Sequence, residues 1–498
     1  MTDLHTGAPP RANAPPRANA PLRAIASARQ KASVPAYRDI YHRVRSEILN
    51  GRLAARARLP SSRTLANQLG VARGTVELAY QILAGEGYTL SDGARGTIVN
   101  PSLPPERKAA VFAPGVRKGA QQAQLRLPPK PLLFQMGLPA LDVFPRKQWV
   151  QTASRVARRF DIEQFAHPHE VMGYEPLRQA IATHLRIARG VACTADQILI
   201  TAGSLGAFEL IGQVLLEPED SVWVEDPGYF FARDILAKSA VRLASVRVDD
   251  EGLDVAAGIE TAPDATLAFV TPTHHFPFGT AMSARRRQAL LDWAGRQQAW
   301  IIEDDYDCAF HHHGQPPAAL KSLDRGGRVL YVGSFSKVLF PGLRLGYVVV
   351  PHALVDRFAR TARTAHPSPA MMLQQMVEAF VSEGHFARHL SRMRSIYAER
   401  RSALAAALSA ALPDELEVIV PDGGLHFVAR LRGQELRHQE RDVDLVARLR
   451  EQRIGPTALS RCAVTSPPLN GLMINYANIA KEDAGGAAER LRAAMRFT

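Results

Sequence analysis

Two kinds of hydrophobic periodicity divide the chain. Between residues 34 and 99, apolar side chains at helical spacing come first and short strand-like segments follow. The first helix is predicted over residues 35–49, directly before an Asn-Gly stop signal. From about Leu132 onward, apolar strand-like runs alternate with helical patterns, which is typical of an α/β sheet. The pattern therefore predicts a small, mainly helical domain ahead of a large α/β domain.

Two further helices and a pair of strands complete the predicted small domain. A short helix that Ser61 or Ser62 can cap is followed by a helix over residues 72–83. Strand-like segments at residues 87–90 and 96–99 are joined by a turn. This order of elements predicts a winged helix-turn-helix, whose third helix enters the major groove of DNA.

The charge distribution supports a nucleic-acid partner. The chain has 61 Lys and Arg against 48 Asp and Glu, a net charge of +13. Residues 1–130 contain 20 basic and 7 acidic residues, so the remaining 368 residues, with 41 of each, are balanced. All of the surplus lies in the first quarter of the chain, as expected for a module that binds a polyanion.

Length and composition favour a multi-domain globular protein. A chain of 498 residues with 46% apolar side chains predicts two or three domains and allows a large core. No apolar run approaches the ~20 residues of a membrane span, and no signal-peptide core is present, so we expect a cytoplasmic protein without a membrane partner. Cys193, Cys308 and Cys462 lack metal-ligand spacing, so we expect reduced thiols and no metal site.

Low-complexity segments set the predicted domain boundaries. Residues 1–33 contain an imperfect Ala-Pro-Pro-Arg-Ala-Asn repeat and are predicted to form a disordered tail. Its arginines could contact DNA, although a solvated leader is the favoured interpretation. Residues 101–131 are predicted to form a linker. The winged helix-turn-helix is then expected at 34–100 and the effector domain at 132–498.

Candidate chemistry concentrates around Lys337. Its segment, residues 333–347, is flanked by glycines and also supplies Ser334, Ser336 and Arg344. A lysine amine can condense with the aldehyde of pyridoxal phosphate, while hydroxyls and a guanidinium can bind the dianionic phosphate. The segment therefore predicts a site for pyridoxal phosphate.

An acidic strand end precedes this segment. Asp304 and Tyr306 follow the apolar run at 299–302, and residues two apart on a strand share a face. An aspartate there can hold the pyridine nitrogen protonated, and a phenol can hydrogen-bond the ring oxygen. An isolated acidic run of this kind would more simply be a solvated strand end or a metal site. Beside Lys337, the cofactor interpretation is favoured.

These blocks carry a family resemblance. The Lys337 segment and the acidic strand resemble the cofactor site of fold-type-I aminotransferases, and residues 34–99 are similar to the DNA-binding domain of GntR-type regulators. Together they resemble the MocR-type subfamily of GntR regulators over about residues 34–498. The resemblance implies an N-terminal winged helix-turn-helix and a C-terminal α/β transferase-like domain of fold type I. It also implies a homodimer that binds double-stranded DNA and responds to pyridoxal phosphate or an amine.

The resemblance implies further cofactor contacts. Gly203, Ser204 and Leu205 open a helix whose N-terminal amides can bind phosphate. Family members usually carry glutamine at the position of Leu205, so we expect backbone contacts there. Tyr229 is implied to cover the cofactor ring, although a core tyrosine is an almost equal alternative. Tyr174 is implied to reach the phosphate of a neighbouring subunit.

The implied DNA contacts lie on the second helix, at the start of the third helix and on the wing. They are Ser62, Arg63, Arg73, Thr75, Gly93 and Arg95. The plainer interpretation of these arginines is that they are merely exposed on helices and turns.

An active aminotransferase with an incidental DNA-binding domain is the alternative function. Residues 276–279 replace the aminotransferase Asn-Pro-Thr-Gly turn, so the asparagine that would contact the ring oxygen is missing. Asn478 is taken to stand where amino-acid-responsive members of the subfamily place a carboxylate-binding arginine. We therefore expect a sensor that uses Schiff-base chemistry at Lys337, with at most residual half-transamination. An inert second domain is disfavoured because the cofactor lysine and its neighbours are intact.

Overall fold

The computed structural model describes residues 35–93, 96–103, 130–160, 163, 170–312, 316–432, 441–465 and 469–496. The chain divides into two compact units, Met1–Leu125 (the first unit) and Arg126–Thr498 (the second unit). The predicted tail and most of the predicted linker lie outside the described residues, so they stay predictions. No helix in the described part of the chain is long and apolar enough to cross a membrane.

The first unit has the predicted order of elements. These are α1 (Ala36–Leu49), α2 (Ser62–Leu69), α3 (Arg73–Gly85), β1 (Thr89–Ser91) and β2 (Thr97–Val99). Val44, Leu65 and Val76, one from each helix, meet in a common buried core. The two strands pair antiparallel, with Leu90 opposite Ile98. This arrangement is a winged helix-turn-helix, which confirms the fold predicted for this part of the chain.

Local chemistry fixes both ends of α2. Ser61, rather than Ser62, caps α2, because its hydroxyl accepts a hydrogen bond from the N–H of Thr64 at 3.1 Å. Gly70 ends α2 with a φ of 63°, in the left-handed region where glycine has no Cβ to clash. Both features are set by residues within one short segment, which is why the sequence predicts this capped helix.

The second unit is built on a mixed sheet with helices on both faces. Its elements up to the last strand of that sheet are α4 (Arg146–Arg159), α5 (Glu175–Arg189), β3 (Ile198–Thr201), α6 (Gly203–Leu215), β4 (Ser221–Asp226), α7 (Phe230–Leu236), β5 (Arg242–Asp249), β6 (Gly252–Leu253), α8 (Val255–Thr261), β7 (Leu267–Val270), α9 (Ala284–Gln297), β8 (Trp300–Asp304), α10 (Leu320–Leu323), β9 (Val329–Ser334) and β10 (Gly346–Val349). The strand order is β3-β10-β9-β8-β7-β4-β5-β6. Leu330 and Val332 of β9 pack on one face of the sheet with Phe208 of α6, and Tyr331 packs on the other face. Burial on both faces explains why β9 is apolar from Val329 to Val332.

The C-terminal part adds helices and a smaller antiparallel sheet. Its elements are α11 (Val355–Ala365), α12 (Met371–Ser382), α13 (His385–Ala411), β11 (Leu416–Ile419), β12 (His426–Leu431), α14 (Asp442–Glu451), β13 (Thr457–Ala458), β14 (Gly471–Asn475) and α15 (Ala484–Arg496). The strand order is β11-β12-β14-β13. Phe427 and Ile474 of this sheet share a core with Tyr397 of α13.

The topology brings several strand ends to one edge of the large sheet. Strands β9, β8, β7, β4 and β5 pair parallel in that order, and β10 is antiparallel to both β9 and β3. Strand β3 therefore runs parallel to β9. The carboxyl ends of these strands, at Thr201, Asp226, Asp304 and Ser334, lie at the same edge, where open α/β sheets bind their ligands.

Candidate functional site

A cavity of about 200 Å³ opens at this edge. The described residues that line it are Met136, Gly137, Ala202, Gly203, Ser204, Leu205, Tyr229, Phe276, Asp304, Tyr306, Asp307, Ser334, Ser336, Lys337, Pro341, Arg344, Leu425, His426 and Asn475. The structure thus brings together every predicted cofactor residue except Tyr174. Their individual roles stay predictions.

Lys337 follows the end of β9 and projects towards a distant loop. A Cβ built on Gly137 would lie 2.7 Å from Nζ of Lys337, so a larger residue at position 137 would require this amine to move. Gly137 also has a φ of 80°, which other residues rarely adopt. Burial lowers the pKa of Lys337, and the carboxylates of Asp307 and Asp304 act in the opposite direction. The lysine is therefore held in a site that favours the neutral, nucleophilic amine more than water does.

Asp304 and Tyr306 are buried polar groups with unmet hydrogen-bonding capacity. Asp304 is 4% exposed, and its Oδ1 has no hydrogen-bond partner among the described residues. The phenolic oxygen of Tyr306 is likewise buried without a partner in the described part of the chain. Burial, with the charges of Asp305 and Asp307, raises the pKa of Asp304 well above its usual range. Unpaired buried groups are costly, and a pyridinium nitrogen and a ring oxygen would satisfy both.

The other end of the cavity is suited to a phosphate. Gly203 begins α6 with a φ of 79°, and Gly203, Ser204 and Leu205 line the cavity, so the N-terminus of this helix opens onto it. A Cβ on Gly346 would lie 2.7 Å from the carbonyl carbon of Gly203, which shows how closely the two backbones approach. The hydroxyl of Ser334 accepts a hydrogen bond from the N–H of Ser336 at 3.2 Å. Together with Arg344, these groups provide the donors and the positive charge that a dianion requires.

An aromatic wall closes one side of the cavity. The rings of Tyr229 and Phe276 are 5.1 Å apart in an edge-to-face arrangement. Tyr229 is half-buried and lines the cavity, so it is not simply a core residue. His275 lies in the same loop as Phe276, but its Nε2 pairs with the carbonyl oxygen of Pro227 at 2.9 Å. His275 does not line the cavity, which agrees with a histidine that satisfies its own loop.

Several lining residues escaped the sequence-based prediction because they come from distant parts of the chain. Nδ2 of Asn475, in β14, donates to the carbonyl oxygens of Gln135 and Leu138, both at 2.8 Å, and so ties the loop that contains Gly137 to the small sheet. Nε2 of His426, in β12, lies 3.1 Å from the carbonyl oxygen of Pro277. Nothing in the local sequence marks these residues.

Asp307 was also missed, although it stands in the acidic run beside Tyr306. It is 3% exposed, lines the cavity, and its Oδ1 has no hydrogen-bond partner among the described residues. Burial raises its pKa to about 7, and the nearby Lys337 acts in the opposite direction. The acidic run is visible in the sequence, but which of its carboxylates enters the cavity is not.

The structure corrects the prediction made for Asn478. This residue lies beyond the end of β14 and lines a separate surface depression with Arg453 and Arg490. It does not line the cofactor cavity, whereas Asn475 of the same segment does. The neutral side chain of Asn478 therefore says nothing about carboxylate binding. Among the described residues of the cavity, Arg344 contributes the guanidinium.

Tyr174 lies outside the cavity of its own chain. It immediately precedes α5, and its backbone N–H donates to Oε1 of Gln374 at 2.8 Å. Its predicted contact with a neighbouring subunit stays a prediction.

The predicted DNA-binding residues of the first unit lie on two adjoining helices and the wing. Arg73 is exposed at the start of α3, and its Nε donates to Oε1 of Glu77 at 2.7 Å. The same carboxylate oxygen accepts a hydrogen bond from the hydroxyl of Ser62 at 3.2 Å, so α2 and α3 are joined there. Arg63 is exposed on α2 and Thr75 is half-buried on α3.

The wing completes this predicted surface. Gly93 is exposed in the turn after β1, with a φ of 55°. Arg95 lies outside the described residues. The position of Gly93 is compatible with a wing tip, and its contact with DNA stays a prediction.

Comparisons with known proteins agree with this two-part construction. A family model described as "Aminotransferase class I and II" matches residues 139–491, and one described as "Bacterial regulatory proteins, gntR family" matches residues 36–99. The chain is 36% identical to the "Probable rhizopine catabolism regulatory protein MocR" of Rhizobium meliloti, over 93% of this chain and 94% of that protein. It is 35% identical to the "HTH-type transcriptional regulator TauR" of Rhodobacter capsulatus, over 74% and 79%.

A solved structure extends the comparison to the cofactor. The α-aminoadipate aminotransferase LysN of Thermus thermophilus, complexed with N-(5'-phosphopyridoxyl)-L-leucine, matches with a TM-score of 0.66 and 26% identity. The match covers 73% of this chain and 92% of that one. The family and the fold thus confirm pyridoxal phosphate as the cofactor of the second unit.

Proposed function

Because this chain belongs to the MocR-type subfamily of GntR transcriptional regulators, we propose that its second unit senses pyridoxal phosphate or an amine at Lys337 and thereby controls DNA binding by the first unit. One observation carries the proposal. The Lys337 amine shares a cavity with Oδ1 of Asp304 and the phenolic oxygen of Tyr306, two buried atoms without a hydrogen-bond partner in the described part of the chain. Such a cavity is prepared for a ligand that is both electrophilic and rich in hydrogen-bonding groups.

The lining residues would divide the work of holding the cofactor. Asp304 would pair with the pyridine nitrogen, Tyr306 would hydrogen-bond the ring oxygen, and Tyr229 would cover the ring. Arg344 and the first amides of α6 would bind the phosphate. When bound, pyridoxal phosphate supplies an aldehyde that condenses reversibly with amines, so an amine ligand can compete with Lys337 for it.

The cations of the cavity limit which amines suit the site. Among its described lining residues, Lys337 and Arg344 are the Lys and Arg side chains, and Arg344 is assigned to the phosphate. Burial lowers the pKa of His426 to about 4, so this ring is neutral at pH 7. An α-carboxylate would therefore lack a dedicated cationic partner. We propose that the signal is pyridoxal phosphate itself or an amine without an α-carboxylate, and that sustained transamination does not occur.

We also propose that the regulator acts as a homodimer. The support comes from Tyr174, which lies outside the cavity of its own chain at the start of α5, and from the fold shared with aminotransferases. In a homodimer, Tyr174 of each subunit would reach the cofactor phosphate bound in the other subunit.

The proposal is tested with a matched pair of amines. Taurine and β-alanine carry the amine on the same two-carbon chain and differ in having a sulfonate or a carboxylate. Each is titrated into the cofactor-loaded protein, alongside common α-amino acids, while the visible spectrum and the affinity for a bound genomic DNA fragment are recorded together. We expect taurine and β-alanine, which both lack an α-carboxylate, to change the spectrum and the DNA affinity together. Common α-amino acids should act only weakly on both.

Two outcomes would contradict this view of the site. One is tight binding of a common α-amino acid that also changes DNA affinity, because the cavity would then contain a carboxylate partner that the described residues do not show. The other is multiple-turnover transamination, which would establish the alternative function, an active aminotransferase.

A further inference from the structure

Asp307 is a buried carboxylate in the cofactor cavity that has no side-chain partner assigned to it, although the N–H of Leu425 donates to it. Its Oδ1 lacks a hydrogen-bond partner among the described residues, and the space around it is narrow, since a Cβ on Gly424 would lie 3.2 Å from Oδ2. We propose that Asp307 is a positioning residue for Lys337, holding its amine as an ammonium inside the cavity whenever that amine is not covalently engaged. This inference rests on the proposed sensing role of Lys337.

The neighbouring carboxylates are already engaged elsewhere. Asp305 accepts hydrogen bonds from Nε of Arg189 at 2.7 Å and from the hydroxyl of Tyr331. Glu225 accepts from the N–H and the hydroxyl of Thr271, at 3.0 and 2.6 Å. Neither Asp305 nor Glu225 lines the cavity. Asp304 does, but we assign it to the pyridine nitrogen. Asp307 is therefore the cavity carboxylate that remains available to the lysine.

A carboxylate at position 307 would affect the competition between Lys337 and an amine ligand for the cofactor aldehyde. Only the neutral amine can attack an aldehyde carbon, because the ammonium has no lone pair. A carboxylate beside the displaced lysine stabilises the ammonium and so slows its return to the aldehyde. Asp307 would thus favour the ligand-bound state over recapture by the lysine.

The charged groups around Lys337 determine how loss of the Asp307 charge should change the pH dependence of the reactivity of the Lys337 amine. The ionisable side chains among the described residues of the cavity are Tyr229, Asp304, Tyr306, Asp307, Arg344 and His426. Burial lowers the pKa of Lys337, and the charges of Asp307 and Asp304 oppose this lowering. The effect of Asp307 is the larger of the two. Removing the charge of Asp307 leaves the lowering by burial less opposed. The pKa of Lys337 should then fall further, and the amine should become reactive at lower pH.

The test measures the reactivity of Lys337 in the full chain freed of cofactor. Acetylation of Lys337 by acetic anhydride is followed by peptide mass spectrometry as a function of pH, in the wild type, in Asp307→Asn and in Glu303→Gln. Asparagine keeps the size of the side chain and an acceptor oxygen for the N–H of Leu425, which donates to Asp307. Glu303 is a matched control, because it is a buried carboxylate in the same segment that accepts from the N–H groups of Leu320 and Lys321 and does not line the cavity.

We expect the midpoint of acetylation to move to lower pH in Asp307→Asn, by on the order of one pH unit, and to stay in place in Glu303→Gln. An unchanged midpoint in Asp307→Asn, or an equal shift in the control, would overturn the proposal. Asp307→Ser serves as a second uncharged variant if the asparagine variant does not fold by circular dichroism. It should show a shift in the same direction.

A second measurement separates this inference from the proposed function. In the cofactor-loaded protein, Asp307→Asn should require a several-fold higher taurine concentration for the same change in the visible spectrum, without any DNA present. If the acetylation midpoint shifts but DNA affinity never responds to ligand, the sensing role fails and the pairing of Asp307 with Lys337 stands. If DNA affinity responds normally and neither measurement changes in Asp307→Asn, the pairing fails alone.

Discussion

Replacing Lys337 with alanine should abolish the covalent attachment of pyridoxal phosphate completely. The wild-type protein should be yellow, because condensation of the cofactor aldehyde with the Lys337 amine extends the conjugation of the ring, and borohydride should fix the cofactor to that lysine. The variant removes the one lysine that lines the described part of the cavity and leaves the phosphate end intact. Absorbance spectra, with peptide mass spectrometry after borohydride treatment, measure the loss.

Ser336→Ala is the matched control for this variant. Ser336 lies one residue before the lysine and lines the same cavity, but we assign it to the phosphate. It should weaken cofactor binding while retaining the visible band and the covalent trapping. Trapping that persists in Lys337→Ala at the same cavity would show that another amine reacts there, and the assignment of Lys337 would be wrong.

Replacing Arg73 with alanine should produce the largest loss of specific DNA binding. Arg73 stands exposed at the first position of α3, the helix expected in the major groove, and Glu77 holds its Nε at 2.7 Å. Losing a base contact should cost about 1–3 kcal/mol and relax sequence preference, whereas losing a phosphate contact reduces the salt dependence by about one unit. Fluorescence anisotropy with a bound genomic fragment and an unrelated sequence, at several salt concentrations, distinguishes the two results.

Two further variants complete this experiment. Arg63→Ala, on the exposed face of α2, should reduce either affinity or salt dependence. Arg52→Ala is the control, since this arginine of the same unit already pairs with Glu47 at 3.1 Å. If affinity were unchanged in both Arg63→Ala and Arg73→Ala, the predicted surface of the first unit would not be the one that binds DNA.

The parts of the fold and site that sequence could predict are those set within short segments. The cap at Ser61 and the left-handed Gly70 fix the two ends of α2 by local chemistry. Lys337, Ser336 and Arg344 enter the cavity together because they belong to one segment that follows β9. The winged helix-turn-helix and the cofactor were predicted correctly because the residues that indicate them lie within such short segments.

The parts that sequence could not predict depend on distant contacts. Gly137 lies against Lys337 because tertiary packing brings its loop there, and hydrogen bonds from Asn475 hold that loop. Asp305 and Asp307 look equivalent in the sequence, yet Arg189 of α5 pairs with one and leaves the other in the cavity. Whether a carboxylate is paired is decided by tertiary packing.

The error at Asn478 has a similar origin. A sequence motif locates an arginine, or the residue that replaces it, only to within a few positions. The end of a strand, by contrast, sharply divides residues that line the cavity from residues that do not. Asn475 is the last residue of β14 and lines the cavity, while Asn478 lies beyond it and lines a different depression. A shift of three positions therefore changes the conclusion drawn from a neutral side chain.

The central claim is that chemistry at Lys337 in the second unit changes DNA binding by the first unit. It is tested most directly by one titration of the cofactor-free full chain with pyridoxal phosphate and then taurine, in which the visible spectrum and the affinity for a bound genomic fragment are measured on the same samples. We predict that DNA affinity changes at a step at which the Lys337 band changes, and that Lys337→Ala shows neither change. A DNA affinity that stays constant through both steps, or that changes equally in Lys337→Ala, would contradict the claim.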